Sequence, residues 1–164
     1  MTSNPDGKSH TPDGVGDIPG ASIFVPECGS GPGLLLLADG AAPDAMLQAR
    51  ARLFAEEGYV VTVLRGVLAE PDVGEAVARL AGRADTTGGP VCVAHGDIAG
   101  AALDAADAFA AIVVFDAQGL TGPAGGTGGA GDYSSLPCPV VFQFGTRDAP
   151  DAAAAAENLA GRLN

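Results

Sequence analysis

The sequence is short of basic residues, aromatic residues and histidine. Its 164 residues include 8 Lys and Arg against 20 Asp and Glu, which gives a formal net charge of -12. Proteins that bind nucleic acid or anionic membranes present a basic patch to the phosphate groups, so we expect neither partner here. The two histidines, His10 and His95, also restrict the chemistry, because histidine is the usual acid–base group near neutral pH.

Cysteine is also scarce, and the spacing of the cysteines matches no disulfide framework. Cys28, Cys92 and Cys138 are odd in number, and no CxxC motif or Cys/His pair suggests a zinc site. No G-x-G-x-x-G follows the first apolar strand, and no P-loop lysine is present. We therefore predict no metal and no cofactor.

Long hydrophobic runs are absent as well. The longest, at 34–38, is far too short to span a bilayer, and the first twenty residues are polar and carry no secretory pattern. We expect a cytoplasmic protein that has no membrane partner.

Apolar residues make up 47% of the chain, which is enough to fill a core without tryptophan. Short apolar runs alternate with helical patterns, which predicts a doubly wound, mainly parallel sheet in a three-layer α/β/α fold. We predict a disordered arm at 1–20 and a single domain at 21–164 with a Gly-rich loop at 117–137. The predicted strands are 22–26, 33–38, 59–64, 91–95, 111–115 and 139–144, and the predicted helices are 44–57, 72–83, 98–108 and 151–163.

Four of the five buried strands are followed by an aspartate: Asp39, Asp97, Asp116 and Asp148. Aspartate caps turns and helix starts, which explains any one of them without a function. In doubly wound sheets, however, ligands bind beyond the carboxyl ends of the strands, so the four together also indicate a site. Both interpretations stay open for this set.

Two arginines also follow predicted strands. Arg65 and Arg147 either pair with neighbouring carboxylates or hold an anionic group of a substrate. The sequence does not decide between these two roles.

The segment VCVAHGDIAGAALDAA at 91–106 reads as a strand, a sharp turn and a helix of small residues. This is the layout of a nucleophile elbow, which holds one side chain above the sheet. We place Asp97 at the elbow position.

With GPGLLLLADG, ARLFAEEGYVVTVL and PVVFQFGTRDAPD, this segment resembles the dienelactone hydrolase family of α/β-hydrolases. The resemblance puts Asp97 at the position of the nucleophilic cysteine, Asp148 at that of the catalytic acid and Asp39 at that of a glutamate beside the nucleophile. It also implies an oxyanion hole formed by the backbone N–H groups of Gly40 and Ile98.

The departures from this family concern its catalytic residues. Aspartate replaces the nucleophile, His95 replaces the first glycine of the elbow, and the family's catalytic histidine has no counterpart before the chain ends at Asn164. A Cys-His-Asp mechanism needs both the thiol and the base. Carboxylate-based acid–base catalysis is therefore favoured over thiol hydrolysis.

Two hypotheses remain. In the first, the chain is a divergent enzyme that acts on a small organic substrate. Asp97 is the general acid or base, Asp39 or Asp148 is its partner, and His95 has an orienting role. Asp116, Arg65 and Arg147 would bind the substrate. In the second hypothesis the chain is a non-catalytic binding or partner module, and a homodimer forms through an exposed edge of the sheet.

Overall fold

A six-stranded sheet forms the middle layer of the protein. The computed structural model describes residues 21–40, 44–66, 70–115 and 136–143. The strands run in the order β1-β3-β2-β4-β5-β6, and every neighbouring pair is parallel except β1 with β3. Their bounds are β1 Ser22–Phe24, β2 Gly31–Ala38, β3 Val60–Arg65, β4 Thr86–His95, β5 Ala111–Phe115 and β6 Val140–Gln143.

Helices cover both faces of this sheet. They are α1 Asp44–Glu56, α2 Glu70–Ala81 and α3 Ala99–Asp104, with short 3-10 helices at Gly96–Ile98 and Ala106–Ala108. The α2 and α3 side chains pack with Leu35 and Leu37 on one face, while α1 packs with Leu34 and Leu36 on the other. The mainly parallel, three-layer α/β architecture is confirmed.

The apolar run in β2 holds the layers together. Leu35, Leu36 and Leu37 are completely buried, and consecutive residues point to opposite faces of the sheet. Burying each leucine stabilises the fold by about 1.5–3 kcal/mol. A strand that is apolar on both faces must be central, and β2 indeed lies between β3 and β4.

The observed bounds differ from the predicted ones at two strand starts. We predicted strand starts at 33 and 91, but β2 begins at Gly31 and β4 begins at Thr86. These two residues are register partners. The register between β2 and β4 shifts where β4 runs through glycine and proline, and Gly88 there has a φ of 70°. Thr86 and Thr87 pair with β2 before this irregularity, although the local strand propensity is poor.

The third helix is also shorter than predicted. The predicted helix at 98–108 is a six-residue α3 flanked by the two 3-10 helices. Helix α2 begins and ends two residues earlier than predicted. The predicted arm at 1–20, the Gly-rich segment at 117–135 and the helix at 151–163 lie outside the described residues.

A buried ion pair closes the connection from α2 to β4. Arg83 donates from Nε to Asp85 Oδ1 at 2.8 Å and from Nη2 to Oδ2 at 2.6 Å. The side chains are only 7% and 17% exposed. The carbonyl of Asp85 accepts a hydrogen bond from the Gly31 N–H at 2.9 Å, which ties this turn to the start of β2. Sequence reasoning missed this pair.

Gly31 has a second constraint, which gives a stability prediction. A Cβ at this position would overlap the carbonyl oxygen of Gly58, a backbone atom that cannot rotate away. We expect Gly31→Ala to lower the free energy of unfolding by about 1–3 kcal/mol, as overpacking does. Gly74→Ala is the matched control, because no atom lies within 4 Å of its Cβ position in α2.

Denaturant unfolding of both variants tests this expectation. Gly74→Ala should raise the free energy of unfolding by about 0.5–1 kcal/mol, since alanine favours the helix. Wild-type stability in Gly31→Ala would contradict the close approach of β2 to Gly58.

Candidate functional site

The carboxyl rim, defined as the end of the sheet where the parallel strands β2 to β6 finish, contains the candidate site. Ala38 at the end of β2 is the register partner of His95 at the end of β4. Asp39 and Gly96 therefore leave the sheet side by side. The strand order places β2, β4, β5 and β6 side by side.

Three of the predicted site residues are not described by the structure. Asp116 directly follows β5, and Arg147 and Asp148 follow β6 along the chain, but all three lie outside the described residues. Their roles stay predictions. Asp97 is described by its backbone, as the middle residue of the 3-10 helix Gly96–Ile98.

The turn after β4 has the strand–turn–helix course of an elbow. His95 is extended, with φ -128° and ψ 124°, and Gly96 then adopts a φ of 80°. A left-handed φ costs a residue other than glycine roughly 1–2 kcal/mol. The strained position of this turn is therefore Gly96, one residue before Asp97, and it carries no side chain.

The carboxyl group of Asp39 lies directly against this turn. A Cβ built on Gly96 would overlap Asp39 Oδ2 and would lie 3.2 Å from Asp39 Cγ. Asp39 is half-buried. The space into which a side chain at position 96 would project is thus filled by a carboxylate from the neighbouring strand.

Arg65 anchors the chain on the far side of Asp39. It donates from Nη1 to Asp44 Oδ1 at 2.9 Å and from Nη2 to the Gly40 carbonyl at 3.1 Å. This supports the interpretation that Arg65 pairs with a carboxylate rather than with a substrate. Its side chain is 35% exposed, so the ion pair itself contributes at most about 1 kcal/mol.

The two predicted oxyanion-hole residues differ in exposure. Ile98 is 6% exposed and its side chain packs in the core under α2 and α3, so only its backbone is available to a ligand. Gly40 is exposed, and its carbonyl is engaged by Arg65. The N–H donor roles of Gly40 and Ile98 stay predictions.

His95 is half-buried at the end of β4, between Ala38 and Phe115 in the register. Its Nδ1 atom is buried and has no hydrogen-bond partner in the described part of the protein. Leaving such an atom unpaired costs about 1–3 kcal/mol, so this nitrogen needs an explanation. The orienting role predicted for His95 stays a prediction.

The thiols do not form part of the carboxyl rim. Cys92 is completely buried three residues before the end of β4. Burial raises the pKa of the Cys92 thiol strongly, and the neighbouring Cys138 thiol raises it further. Burial also raises the pKa of Cys138. Cys28 is exposed far from the rim and donates its S–H to the Ser30 carbonyl at 3.0 Å.

Two further features are absent from the described ranges. No group of three or more His, Cys, Asp or Glu side chains there could hold a metal ion. No helix within those ranges has the length and apolar character needed to cross a membrane.

Comparisons with known proteins add little to this geometry. No family model matches the chain, and no curated protein matches it. One similar solved structure is an N-formylmaleamic acid deformylase from Pseudomonas putida, with 20% sequence identity and a TM-score of 0.45. The match covers 87% of this chain and 52% of the deformylase, so the chain spans about half the length of that structure. A likeness of this degree does not bear on activity.

The thiol environments predict different reactivities. We expect Ellman's reagent to modify Cys28 rapidly at about pH 8 and Cys92 only after unfolding, because thiolates react and burial suppresses the Cys92 thiolate. Peptide mass spectrometry of native and denatured samples would locate the modified residues, with Cys28→Ser as the control. Equal rates for Cys92 and Cys28 in the native protein would contradict the buried position of Cys92.

Proposed function

We propose that this protein is a divergent, dienelactone-hydrolase-like enzyme that acts on a small organic substrate through carboxylates. The reaction that we favour is a general acid–base cyclisation, isomerisation or dehydration. Lactone or ester hydrolysis is the less favoured alternative. The observation that carries this proposal is the position of the Asp39 carboxyl group, which lies against the Gly96 turn where the two central strands end.

The same turn argues against an elbow nucleophile. The strained residue Gly96 has no side chain, and the thiol nearest along the strand, Cys92, is buried with a raised pKa. Acid–base catalysis needs neither a nucleophile at the strained position nor a reactive thiol. It needs a carboxyl held within about 2.6–3.2 Å of the proton that it gives or takes.

We propose the following roles for the residues at the rim. Asp97 follows the Gly96 turn and acts as general acid or base, with Asp39 or Asp148 as its partner. Asp116, Arg147 and the backbone N–H groups of Gly40 and Ile98 would bind the substrate. Since the chain carries a net charge of -12 and Arg65 is paired with Asp44, we propose a neutral or cationic substrate.

Substitution of the rim carboxylates tests this proposal. A panel of small lactones, aryl esters and hydroxy ketones would be incubated with the wild type and analysed by mass spectrometry. We expect Asp97→Asn and Asp39→Asn to lower the rate by roughly a hundredfold or more, because each removes a proton-transfer group. Circular dichroism would check that both variants stay folded.

Asp107→Asn is the matched control. Asp107 is an exposed aspartate in the 3-10 helix that precedes β5, at the opposite end of the sheet, and its substitution should leave the rate unchanged. Full activity in Asp97→Asn and Asp39→Asn would rule out carboxylate catalysis at this rim.

A second candidate is a non-catalytic partner module, and two observations favour it. Gly96 supplies no catalytic side chain. Within the described ranges, β6 is an uncharged strand at one edge of the sheet, with Val141 51% exposed. Residues 136–143 contain no charged side chain, so two copies of this acidic chain could meet there with little repulsion.

Light scattering distinguishes the partner module from the proposed enzyme. If the module dimerises through β6, the wild type should have twice the monomer mass and Val141→Lys should be monomeric, because a charge on an exposed strand blocks pairing. Leu53→Lys, at an exposed position on α1, is the control. A monomeric wild type that no panel compound stabilises would count against the module.

A further inference from the structure

We propose that Asp39 has taken the place of the elbow side chain, so that its carboxylate is the group that meets a substrate bound over the Gly96 turn. This inference rests on the proposed carboxylate chemistry and narrows it from a rim of aspartates to one residue.

The geometry of the turn supports this assignment. An elbow works because its strained residue projects one side chain above the end of the sheet. Here the strained residue is Gly96, and the volume that its Cβ would fill is occupied by Asp39 Oδ2. A side chain at position 96 therefore requires the carboxyl group of Asp39 to move from its present position.

The backbone of Asp39 is fixed on both sides. Ala38, completely buried, pairs with His95 on one side, and its carbonyl accepts a hydrogen bond from the Gly66 N–H at 3.1 Å. Gly40 accepts the hydrogen bond from Arg65. A reactive group works best when its supporting contacts hold it in place before the substrate arrives, and these contacts hold the backbone on both sides of Asp39.

The position of Asp39 also defines the chemistry of a probe. Phenyl glycidyl ether offers a neutral, electrophilic carbon that a held carboxylate can attack. One oxygen of Asp39 forms a bond to the terminal epoxide carbon, the ring C–O bond breaks, and the resulting alkoxide takes a proton from water. The product is a hydroxyalkyl ester of Asp39, which peptide mass spectrometry locates without any knowledge of the natural substrate.

A double-mutant cycle tests the steric part of the inference. Gly96→Ala in the wild type meets both the left-handed backbone and the Asp39 carboxyl group, whereas in Asp39→Ala only the backbone penalty remains. We expect the folding equilibrium constant to fall roughly tenfold more in the wild-type background, within the range of directly contacting residues. Equal losses in the two backgrounds would overturn the assignment.

Chemical labelling tests the proposed reactivity of the Asp39 carboxyl group. We expect phenyl glycidyl ether to modify Asp39 faster than the exposed Asp104 and Asp107, and the Gly96→Ala variant, if folded, to lose this preference. Labelling of Asp39 at the same rate as Asp104 and Asp107 would overturn the inference.

The two proposals fail in different ways. If Asp39 is labelled and coupled to Gly96 while Asp39→Asn and Asp97→Asn keep full turnover, the proposed function is wrong and the placement of Asp39 stands. If Asp97→Asn abolishes turnover while Asp39 shows neither preference nor coupling, the function stands and this inference is wrong.

Discussion

The parallel pairing of β2 with β4 determines where the chemistry-bearing residues of this chain meet. Both strands end at the same level, with Ala38 opposite His95, so the residues that follow them share one small region. The pairing is held by the buried leucines of β2, which pack against helices on both faces. Any change that shifts this register would separate Asp39 from the turn after β4.

Gly96, which directly follows β4, leaves room for the Asp39 carboxyl group to contact the turn. A residue with a side chain would be strained at a φ of 80° and would displace the Asp39 carboxyl group. The same backbone course in a hydrolase elbow presents a nucleophile. In this protein the residue with the left-handed φ is a glycine, and the carboxyl group of Asp39 from the neighbouring strand lies against it.

Much of the fold could be predicted because it depends on local patterns. The unbroken apolar run of β2 indicates a central strand, and the β-branched run that includes Val60 and Val61 indicates its neighbour. The early start of β4 could not be predicted, because Gly88, Gly89 and Pro90 are poor strand formers. The pairing of Thr86 and Thr87 with β2, which precedes a shift in register, depends on residues distant in the chain. The Arg83–Asp85 pair depends on burial, which the sequence does not show.

Part of the site could likewise be predicted from the sequence, and part of it could not. That Asp39 and the turn after β4 lie together follows from the strand order, which the resemblance to α/β-hydrolases implies. That the strained residue is Gly96, one position before Asp97, depends on a dihedral angle, and the contact with Asp39 depends on tertiary packing. The adjacent glycine in His-Gly-Asp is the one signal that could have pointed to it.

The most direct test of the role proposed for Asp39 is a crystal structure of the protein after reaction with phenyl glycidyl ether. The account predicts an ester on a carboxyl oxygen of Asp39, with the phenyl group above the Gly96 turn. An ester on exposed aspartates alone, with the Asp39 carboxyl group turned away from Gly96, would contradict it.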